Sequence, residues 1–346
     1  MIVFLGVLLL SSGGCATLGW YGQAARGQME LLIKRKNIEK LIAAPDTPEE
    51  RRHKLELVLE LREFADKRLG LPDNGSYSGF VELDRDAVVY NVIAAPTFSV
   101  VPKIWCYPLV GCLAYRGYFR ASAADQQAAQ LKADGYDVVV SPVAAYSTLG
   151  RFNDPVTSPM LKFSDVRLAG LLFHELAHQR VFVKGETAFN EAYASSVENA
   201  GIERWLARDP SPERLEQWRH SRTIEDAFTD LLLLARRDLE ALYQRNVEHG
   251  ERAKLKRQSF AKLQSDYADF RKRHDSQRFD AYMQQDLNNA HLALLATYRA
   301  GTDAFDQLLA EYRGNFERFH QAVERLAGAD QEVRARFLNC QTGTCP

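Results

Sequence analysis

Apolar residues recur at intervals of three and four positions over most of the chain, the spacing that places them on one face of an α-helix. Near the N-terminus this pattern covers roughly residues 20–43 and 47–69, with the turn sequence APDTPEE between them. It returns in DLLLLARRDLEALY and continues through a region that contains no proline between Pro212 and Pro346. The pattern predicts an N-terminal helical hairpin and a C-terminal bundle of long helices.

Between these helical regions the pattern changes to β-branched and aromatic runs, such as VVYNVIAAPTFSVV and DVVVSPVAAYSTL. Seven of the twelve prolines lie between residues 72 and 160, which disfavours long helices there. We expect a small antiparallel sheet, interrupted by one helix near residues 121–134. The predicted fold class is therefore α+β and predominantly α-helical.

Composition and charge narrow the class of protein. Of the 346 residues, 46% are apolar, which is enough for a sizeable packed core. The chain has 44 Lys and Arg against 45 Asp and Glu, a formal net charge of −1. Because a dedicated nucleic-acid binder carries a basic excess, we expect no nucleic-acid partner.

The first fourteen residues, MIVFLGVLLLSSGG, are apolar and then small, and Cys15 follows them. Such a run is too short to span a bilayer but suits the core of a signal peptide. Small residues before a cysteine resemble the bacterial lipobox, in which the cysteine is lipidated; an ordinary cleaved signal peptide is the alternative. Because Ala16 rather than Asp follows Cys15, we expect a lipid anchor in the outer membrane, with the protein facing the periplasm.

The other four cysteines form two local pairs, as suits an exported protein. Cys106 and Cys112 lie in CYPLVGC, and Cys340 and Cys345 lie in CQTGTC. Two short disulfide loops are the simplest pairing; zinc ligation by these cysteines is the alternative, although neither spacing fits a common zinc knuckle. We therefore expect five segments: a signal peptide (1–14), an N-terminal helical hairpin (15–70), a catalytic core of sheet and metal-site helices (71–210), a helical bundle (211–335) and a disulfide-closed tail (336–346).

The sequence LLFHELAHQR, residues 171–180, contains two histidines four positions apart. On a helix His174 and His178 lie one turn apart on the same face, so both imidazoles can bind one metal ion. In HExxH metallohydrolases such a pair holds Zn²⁺, and the glutamate, here Glu175, is the general base for the attacking water. The motif also occurs by chance, so a third ligand is needed to support a metal site.

The sequence NEAYASSVE, residues 190–198, resembles the motif that supplies the third zinc ligand in gluzincins, the metalloprotease group of thermolysin and the zinc aminopeptidases. The resemblance implies that one Zn²⁺ per chain is held by His174, His178 and Glu191. Those families usually place the third ligand eighteen or nineteen residues after the second histidine, a spacing that nominates Glu198 instead.

Helix geometry favours one of the two glutamates, Glu191 and Glu198, as the third ligand. If Gly185 ends the first helix and Thr187 begins the second, the rise per residue places Glu191 nearly level with His178 in an antiparallel hairpin. We therefore predict Glu191 as the ligand. Glu198 becomes a partner of a ligand histidine or of the substrate amine.

Nearly the whole chain resembles the predicted aminopeptidase family of bacterial lipoproteins. The resemblance rests on GGCATLGWYGQAARGQMELL, CYPLVGCLAYRGYF, AAYSTLGRFNDP and LLFHELAHQRVFVKGETAFNEAYASSVE. It implies a gluzincin-like catalytic core and a zinc metallopeptidase that hydrolyses N-terminal residues of peptides by attack of zinc-bound water. The alternatives are a zinc endopeptidase, a cell-wall amide hydrolase and a non-catalytic periplasmic lipoprotein scaffold. The presence of Glu175 argues against the scaffold, because a structural zinc needs no general base.

Three further roles need residues close to the metal. Gluzincins bind substrate along an edge strand before the metal helix, and residues 143–155 are the candidate strand. A free substrate amine needs a carboxylate, for which the candidates are Glu198, Asp154 and Glu186. The oxyanion of the transition state needs a hydrogen-bond donor besides the metal, for which the candidates are Tyr146, Tyr193 and Tyr298.

Overall fold

A computed structural model describes residues 3–107, 111–295 and 301–339, with side chains from residue 19 onward. The predicted sites at Tyr298, Cys340 and Cys345 lie outside the described residues, as does the side chain of Cys15. Helices dominate the described part and are accompanied by three small sheets, so the predicted fold class is confirmed. Within these ranges, no helix is both long enough and apolar enough to cross a membrane.

The N-terminal region is a long helix followed by a short strand and two further helices. These elements are α1 (Val3–Lys34), β1 (Lys36–Asn37), α2 (Ile38–Ala43) and α3 (Glu49–Leu69). The predicted helix over residues 20–43 is therefore interrupted, because Lys36 and Asn37 pair with the distant Phe80 and Gly79. Asn37 then caps α2 by accepting a hydrogen bond from the backbone N–H of Lys40 at 2.9 Å.

The middle of the chain forms small sheets around one helix. Its strands are β2 (Gly79–Val81), β3 (Val89–Pro96), β4 (Trp105–Tyr107), β5 (Gly111–Leu113), β6 (Arg116–Tyr118), β7 (Tyr136–Val143) and β8 (Val156–Thr157). β3 lies between β6 and β7, β4 pairs with β5, and β2 lies between β1 and β8. The prediction of an antiparallel arrangement is wrong for β2 and β8, which run parallel. The predicted helix near residues 121–134 is confirmed as α4 (Ala121–Ala133), which packs on one face of β3 and β7.

The β4–β5 hairpin connects the sheet region to the N-terminal helix. Cys106 and Cys112 face each other across the two strands and form a disulfide. The indole ring of Trp20 stacks on the ring of Tyr107, with centroids 4.0 Å apart. Its N–H donates to the carbonyl oxygen of Gly117 at 2.9 Å. The second half of α1 is thereby docked on the strands.

The rest of the described chain is helical. Its elements are α5 (Ser158–Leu161), α6 (Asp165–Arg180), α7 (Thr187–Leu206), α8 (Pro212–Tyr243), α9 (His249–His274), α10 (Asp280–Met283), α11 (Asn289–Ala293), α12 (Thr302–Glu311), α13 (Phe316–Ala327) and α14 (Gln331–Leu338). The hairpin of α8 and α9 has its own apolar core, which includes Phe228 and Phe270. α12 to α14 instead pack on α3, α6 and α7, around Phe173 and Phe305. The predicted C-terminal bundle is thus divided between two cores.

Two glycines allow α6 and α7 to lie very close together. A Cβ atom at Gly201 of α7 would lie 2.8 Å from Phe173 Cδ2 of α6. A Cβ atom at Gly170 of α6 would lie 2.9 Å from Glu198 Oε1 of α7. Real Cβ contacts are not this short, so a side chain at either position would force Phe173 or Glu198 to move. Polar side chains of α7 can therefore reach those of α6.

Candidate metal centre

The hairpin of α6 and α7 carries the predicted metal ligands, and hydrogen bonds fix its ends. Ser164 caps α6 by accepting from the backbone N–H of Arg167 at 3.3 Å. Gly185, the predicted turn residue, has a φ of +83°, a left-handed conformation that favours glycine. The side chain of Asn190 accepts from the N–H of Val183 and donates to its carbonyl oxygen, both at 2.8 Å. The start of α7 is therefore locked to the preceding loop.

Within this hairpin the three predicted ligands converge. The Nε2 atoms of His174 and His178 lie 3.1 Å apart. Glu191 places Oε2 3.4 Å from His174 Nε2 and Oε1 3.7 Å from His178 Nε2. One ligand atom from each residue lies within 4.8 Å of the others, so the group could hold a metal ion. His178 is two residues from the end of α6, nearer than expected, and Glu191 is the fifth residue of α7.

These separations suit a tetrahedral ion. Zinc binds imidazole nitrogen and carboxylate oxygen at about 2.0–2.2 Å, so two ligand atoms at the tetrahedral angle lie about 3.3 Å apart. The two imidazole nitrogens lie 3.1 Å apart, and each lies 3.4 or 3.7 Å from its nearer carboxylate oxygen of Glu191, all close to that value. Two histidines and one glutamate are also a ligand set of catalytic zinc sites, which leave a fourth position open. The residues present therefore fit such an ion.

A further glutamate orients one of the histidines. Glu198 Oε2 lies 3.1 Å from His174 Nδ1, so Nδ1 carries the hydrogen and donates it to the carboxylate. Release of the second proton from the ring then leaves the lone pair on His174 Nε2 for a metal ion, as in other carboxylate–histidine–metal arrangements. The missing side chain of Gly170 is what allows the carboxylate to lie there. The buried Nδ1 of His178, in contrast, has no hydrogen-bond partner among the described residues.

The surrounding charges set the protonation states of the ligands. Burial lowers the pKa of His174, but hydrogen bonds to Glu191 and Glu198 outweigh burial and raise the pKa well above its ordinary value. Burial and the charge of His174 lower the pKa of His178 to about 4. Burial raises the pKa of Glu191, yet its hydrogen bond with His174 and the charges of both histidines bring the pKa below its ordinary value. A neutral His178 and an anionic Glu191 are the forms that bind metals.

Glu175, the predicted general base, lies beside the histidines on α6. Burial raises its pKa, the charge of His174 opposes this, and the charge of Glu191 adds to it. A hydrogen bond with Ser147 also lowers the pKa, but the net change is upward. A raised pKa makes the Glu175 carboxylate a stronger proton acceptor than an ordinary glutamate.

Ser147 belongs to the loop between β7 and β8, and Asp154 holds that loop in shape. Asp154 is buried, and its carboxylate accepts hydrogen bonds from the hydroxyl group of Thr148 and, at 2.9 Å, from its N–H. Because these bonds fold the loop on itself, the predicted strand over residues 143–155 is wrong, and β7 ends at Val143. Asp154, predicted to bind a substrate amine, instead orients the loop that presents Ser147.

The predicted oxyanion donors that the structure describes lie in apolar surroundings. Tyr193 is fully buried and donates its hydroxyl hydrogen to His320 Nδ1 at 2.9 Å. His320 Nε2 in turn donates to the carbonyl oxygen of Leu69 at 2.7 Å. Tyr146 packs its ring edge-on against Phe119, with centroids 5.2 Å apart. Tyr193 therefore supports the core, and Tyr146 lies at the edge of the site.

Tyr115, which no motif of the sequence marks, lies close enough to the metal centre to be affected by its charges. Burial raises its pKa to about 12, and the charges of Glu191 and Glu175 act in the same direction. The residue lies in the turn between β5 and β6, sixty positions before Glu175, so no helix or strand spacing relates it to the motif. The sequence feature that could have pointed to Tyr115 is its place in CYPLVGCLAYRGYF, one of the segments that carry the family resemblance.

This fold and this centre define a class: a predominantly helical α+β protein in which one helical hairpin can hold a metal ion beside a buried carboxyl group. Comparison with protein families is more specific. Residues 19–338 match the family model described as "Putative aminopeptidase". The chain belongs to that family. The matched region contains the candidate ligands and Tyr115. No curated protein and no solved structure matches the chain.

Proposed function

We propose that the protein is a zinc-dependent metallopeptidase that removes N-terminal residues from peptides. The observation that carries the proposal is the convergence of His174, His178 and Glu191 within 3.1–3.7 Å of one another, beside the buried Glu175. The family supports a hydrolase of the peptidase kind. The three ligands would hold one Zn²⁺ per chain, and bound zinc polarises a carbonyl oxygen and lowers the pKa of water.

The chain's own residues supply the remaining steps of amide hydrolysis. Glu175 accepts the proton of the attacking water and passes it to the leaving amine, a task suited to its raised pKa. Tyr115 remains protonated at neutral pH because its pKa is about 12. Its hydroxyl group donates a hydrogen bond to the carbonyl oxygen as negative charge develops there. Glu198 holds the ring of His174 in place throughout.

An endopeptidase is the second candidate, because the predicted amine-binding carboxylates are already engaged. Glu186 lies 3.2 Å from the guanidinium group of Arg334, and Asp154 is bound within its loop. Glu198 contacts His174 on the ring nitrogen that faces away from the ligand cluster. Matched peptides with free and acetylated N-termini separate the two activities. Cleavage only of the free peptides indicates an aminopeptidase, and equal cleavage of both indicates an endopeptidase.

Replacing the general base tests the proposed chemistry. Glu175→Gln keeps the size of the side chain but removes its ability to accept a proton. We expect zinc content to be unchanged and peptide hydrolysis to fall by at least about 100-fold. Glu203→Gln is the control, because Glu203 is a partly exposed α7 residue paired with Arg219. Parental activity in Glu175→Gln, or no hydrolysis of a broad peptide series by the zinc-loaded parent, would contradict the proposal.

We also propose that Cys15 carries a lipid that anchors the protein to the bacterial outer membrane, facing the periplasm. The support is the apolar leader with small residues immediately before Cys15. We expect Cys15→Ser to move the protein, expressed in bacteria, from the membrane fraction to the soluble fraction and to prevent incorporation of labelled fatty acid. An unchanged membrane fraction for the variant would contradict the anchor.

A further inference from the structure

A cavity of about 200 Å³ lies between β7 and the short helices α10 and α11. Its apolar lining includes Ile93 of β3, Val139 of β7, Ala290 of α11 and Leu294. Ser141, Gln285 and His291 add polar groups to the lining. Among its described lining residues there is no Asp, Glu, Lys or Arg. An ammonium group placed there would lose hydration without gaining a carboxylate partner, whereas an apolar side chain would gain contacts with Ile93, Val139 and Leu294.

The cavity is lined in part by β7, an edge strand whose free backbone groups can bond to a partner strand. β7 is the outer strand of its sheet and, in the described part, pairs only with β3. The carbonyl oxygen of Val143 accepts from Val88 at 2.8 Å, so Val143 points its backbone toward β3. Because backbone direction alternates along a strand, Val140 and Pro142 point toward the free edge. Pro142, which has no N–H, suits that position.

One hydrogen bond confirms this direction. The carbonyl oxygen of Val138, which alternation also places on the free edge, accepts from the side chain of Asn288 at 3.3 Å. The N–H and C=O of Val140 are the next backbone pair along that edge. Val140 also lines the cavity. An extended peptide can therefore bond to the backbone of Val140 while one of its side chains enters the cavity.

Tyr115 connects this cavity to the metal centre. Its ring packs against the apolar cluster of Ile93 and Ala290, which also line the cavity. The charges of Glu191 and Glu175 add to the effect of burial in raising the pKa of its hydroxyl group, which therefore lies near both carboxylates. A peptide carbonyl bonded to the Tyr115 hydroxyl would therefore lie near the residues that line the cavity.

We propose that this cavity is a specificity pocket for an aliphatic or aromatic side chain of a peptide that lies extended along the free edge of β7. The inference rests on the proposed peptidase function and adds its substrate class, peptides with an apolar residue next to the scissile bond. A volume of about 200 Å³ admits a side chain as large as leucine or phenylalanine. Because the pocket lies beside Tyr115, it binds the residue on one defined side of that bond.

Two variants that change the volume in opposite directions test the pocket. Ser141→Met fills the cavity from β7, and Leu294→Ala enlarges it from the helical wall. Both are made in zinc-loaded Glu175→Gln protein, which binds peptide without turnover. Dissociation constants are measured by calorimetry for X-Ala-Ala-Ala and Ala-X-Ala-Ala, where X is Ala, Leu, Phe or Lys. Ser259→Met, on α9 and outside the cavity, is the control.

In one of the two series, we expect the parent to bind Leu and Phe about 10-fold more tightly than Ala or Lys. We expect Ser141→Met to remove that preference. Leu294→Ala should shift the preference from Leu toward Phe, and Val139→Ala, which also enlarges the cavity, should have the same effect. If the filled and enlarged variants both keep the preference of the parent, the proposed pocket is contradicted. The proposed peptide hydrolysis is not affected by that result. If the zinc-loaded parent neither binds nor cleaves any of these peptides, the proposed function fails together with the pocket.

Discussion

Three glutamates surround the two histidines of the metal centre, and their surroundings give each a different task. Glu191 is held as an anion between the imidazoles, which suits a ligand. Glu198 accepts from His174 Nδ1 and so fixes the direction of the ring. Glu175 has a raised pKa because it is buried close to another carboxylate, which suits a proton acceptor.

Tyr115→Phe should remove a hydrogen bond that forms fully only in the transition state. We expect kcat to fall by about 100-fold while KM changes by less than a factor of about 3, because the ring and its packing remain. Steady-state kinetics with a good peptide substrate measure both constants, and zinc content should equal that of the parent. Tyr146→Phe is the matched control. Equal small effects in both variants would assign Tyr115 to packing alone.

Gly170→Ala should weaken metal binding through a residue that touches no metal ligand. The new Cβ would lie 2.9 Å from Glu198 Oε1 and displace that carboxylate from His174. We expect zinc affinity, measured by competition with a chelator, to fall by about 10-fold to 100-fold. Gly250→Ala is the control, since it lies in helix α9 with no atom within 4 Å of the added carbon. An unchanged zinc affinity in Gly170→Ala would show that Glu198 does not support the site.

At the scale of elements, the metal hairpin depends on helices that follow it by more than a hundred residues. α13 packs against α7 and α3 and inserts His320 between them, with Tyr193 on one ring nitrogen and the Leu69 carbonyl on the other. Burial lowers the pKa of His320 to about 4, so this link requires a neutral ring. The position of α7 is therefore coupled to the protonation of one buried histidine.

Stability should fall in acid because of that histidine. His320 has a pKa of about 4 in the folded protein, and an unfolded histidine titrates near 6.5. Between these values the unfolded chain binds more protons, so the free energy of unfolding decreases as pH falls from about 6.5 to 4. The contribution reaches about 3 kcal/mol. Urea unfolding at several pH values measures it, and His320→Gln should show a correspondingly flatter dependence. Identical slopes in parent and variant would contradict this link.

Elements fixed by neighbouring residues could be predicted from the sequence, whereas elements fixed by distant contacts could not. α4 was predicted to within one residue, and the turn at Gly185 followed from local backbone preference. The strand pair of β1 and β2 joins residues more than forty positions apart, and no local pattern indicates it. In the site, helix spacing identified the ligands, but Tyr115 and Ser147 come from loops whose positions depend on the folded sheets.

At the scale of the whole molecule, α11 connects the α8–α9 hairpin to the sheet of β3 and β7. Asn289 is fully buried there and accepts a hydrogen bond from Tyr243 of α8 at 2.7 Å. Its side-chain N–H groups donate to the carbonyl oxygens of Pro96 and Thr97, and its backbone N–H donates to Asp137. α11 also lines the proposed pocket, so these hydrogen bonds connect the α8–α9 hairpin to an element that would contact the substrate.

Asn289→Ala should weaken the attachment of α11 to α8 and to the sheet. It leaves the Tyr243 hydroxyl without its acceptor and removes one donor each from the carbonyl oxygens of Pro96 and Thr97, which keep Ser99 and Lys256 as donors, so we expect a loss of about 1–2 kcal/mol in the free energy of unfolding. Chemical denaturation measures the loss, with the exposed Asn339→Ala as control. A change as small as that of the control would mean that the network contributes little to holding α11.

The central claim is that His174, His178 and Glu191 hold one zinc ion, and metal content tests it most directly. Protein beginning at Ala16 is purified as parent, Glu191→Ala, Glu198→Ala and Glu203→Ala, and bound metal is measured by mass spectrometry after zinc reconstitution. We predict one zinc per chain in the parent and in Glu203→Ala, weakened but retained binding in Glu198→Ala, and loss in Glu191→Ala. Retention of zinc by Glu191→Ala with loss only in Glu198→Ala, or a folded parent without zinc, would contradict the account.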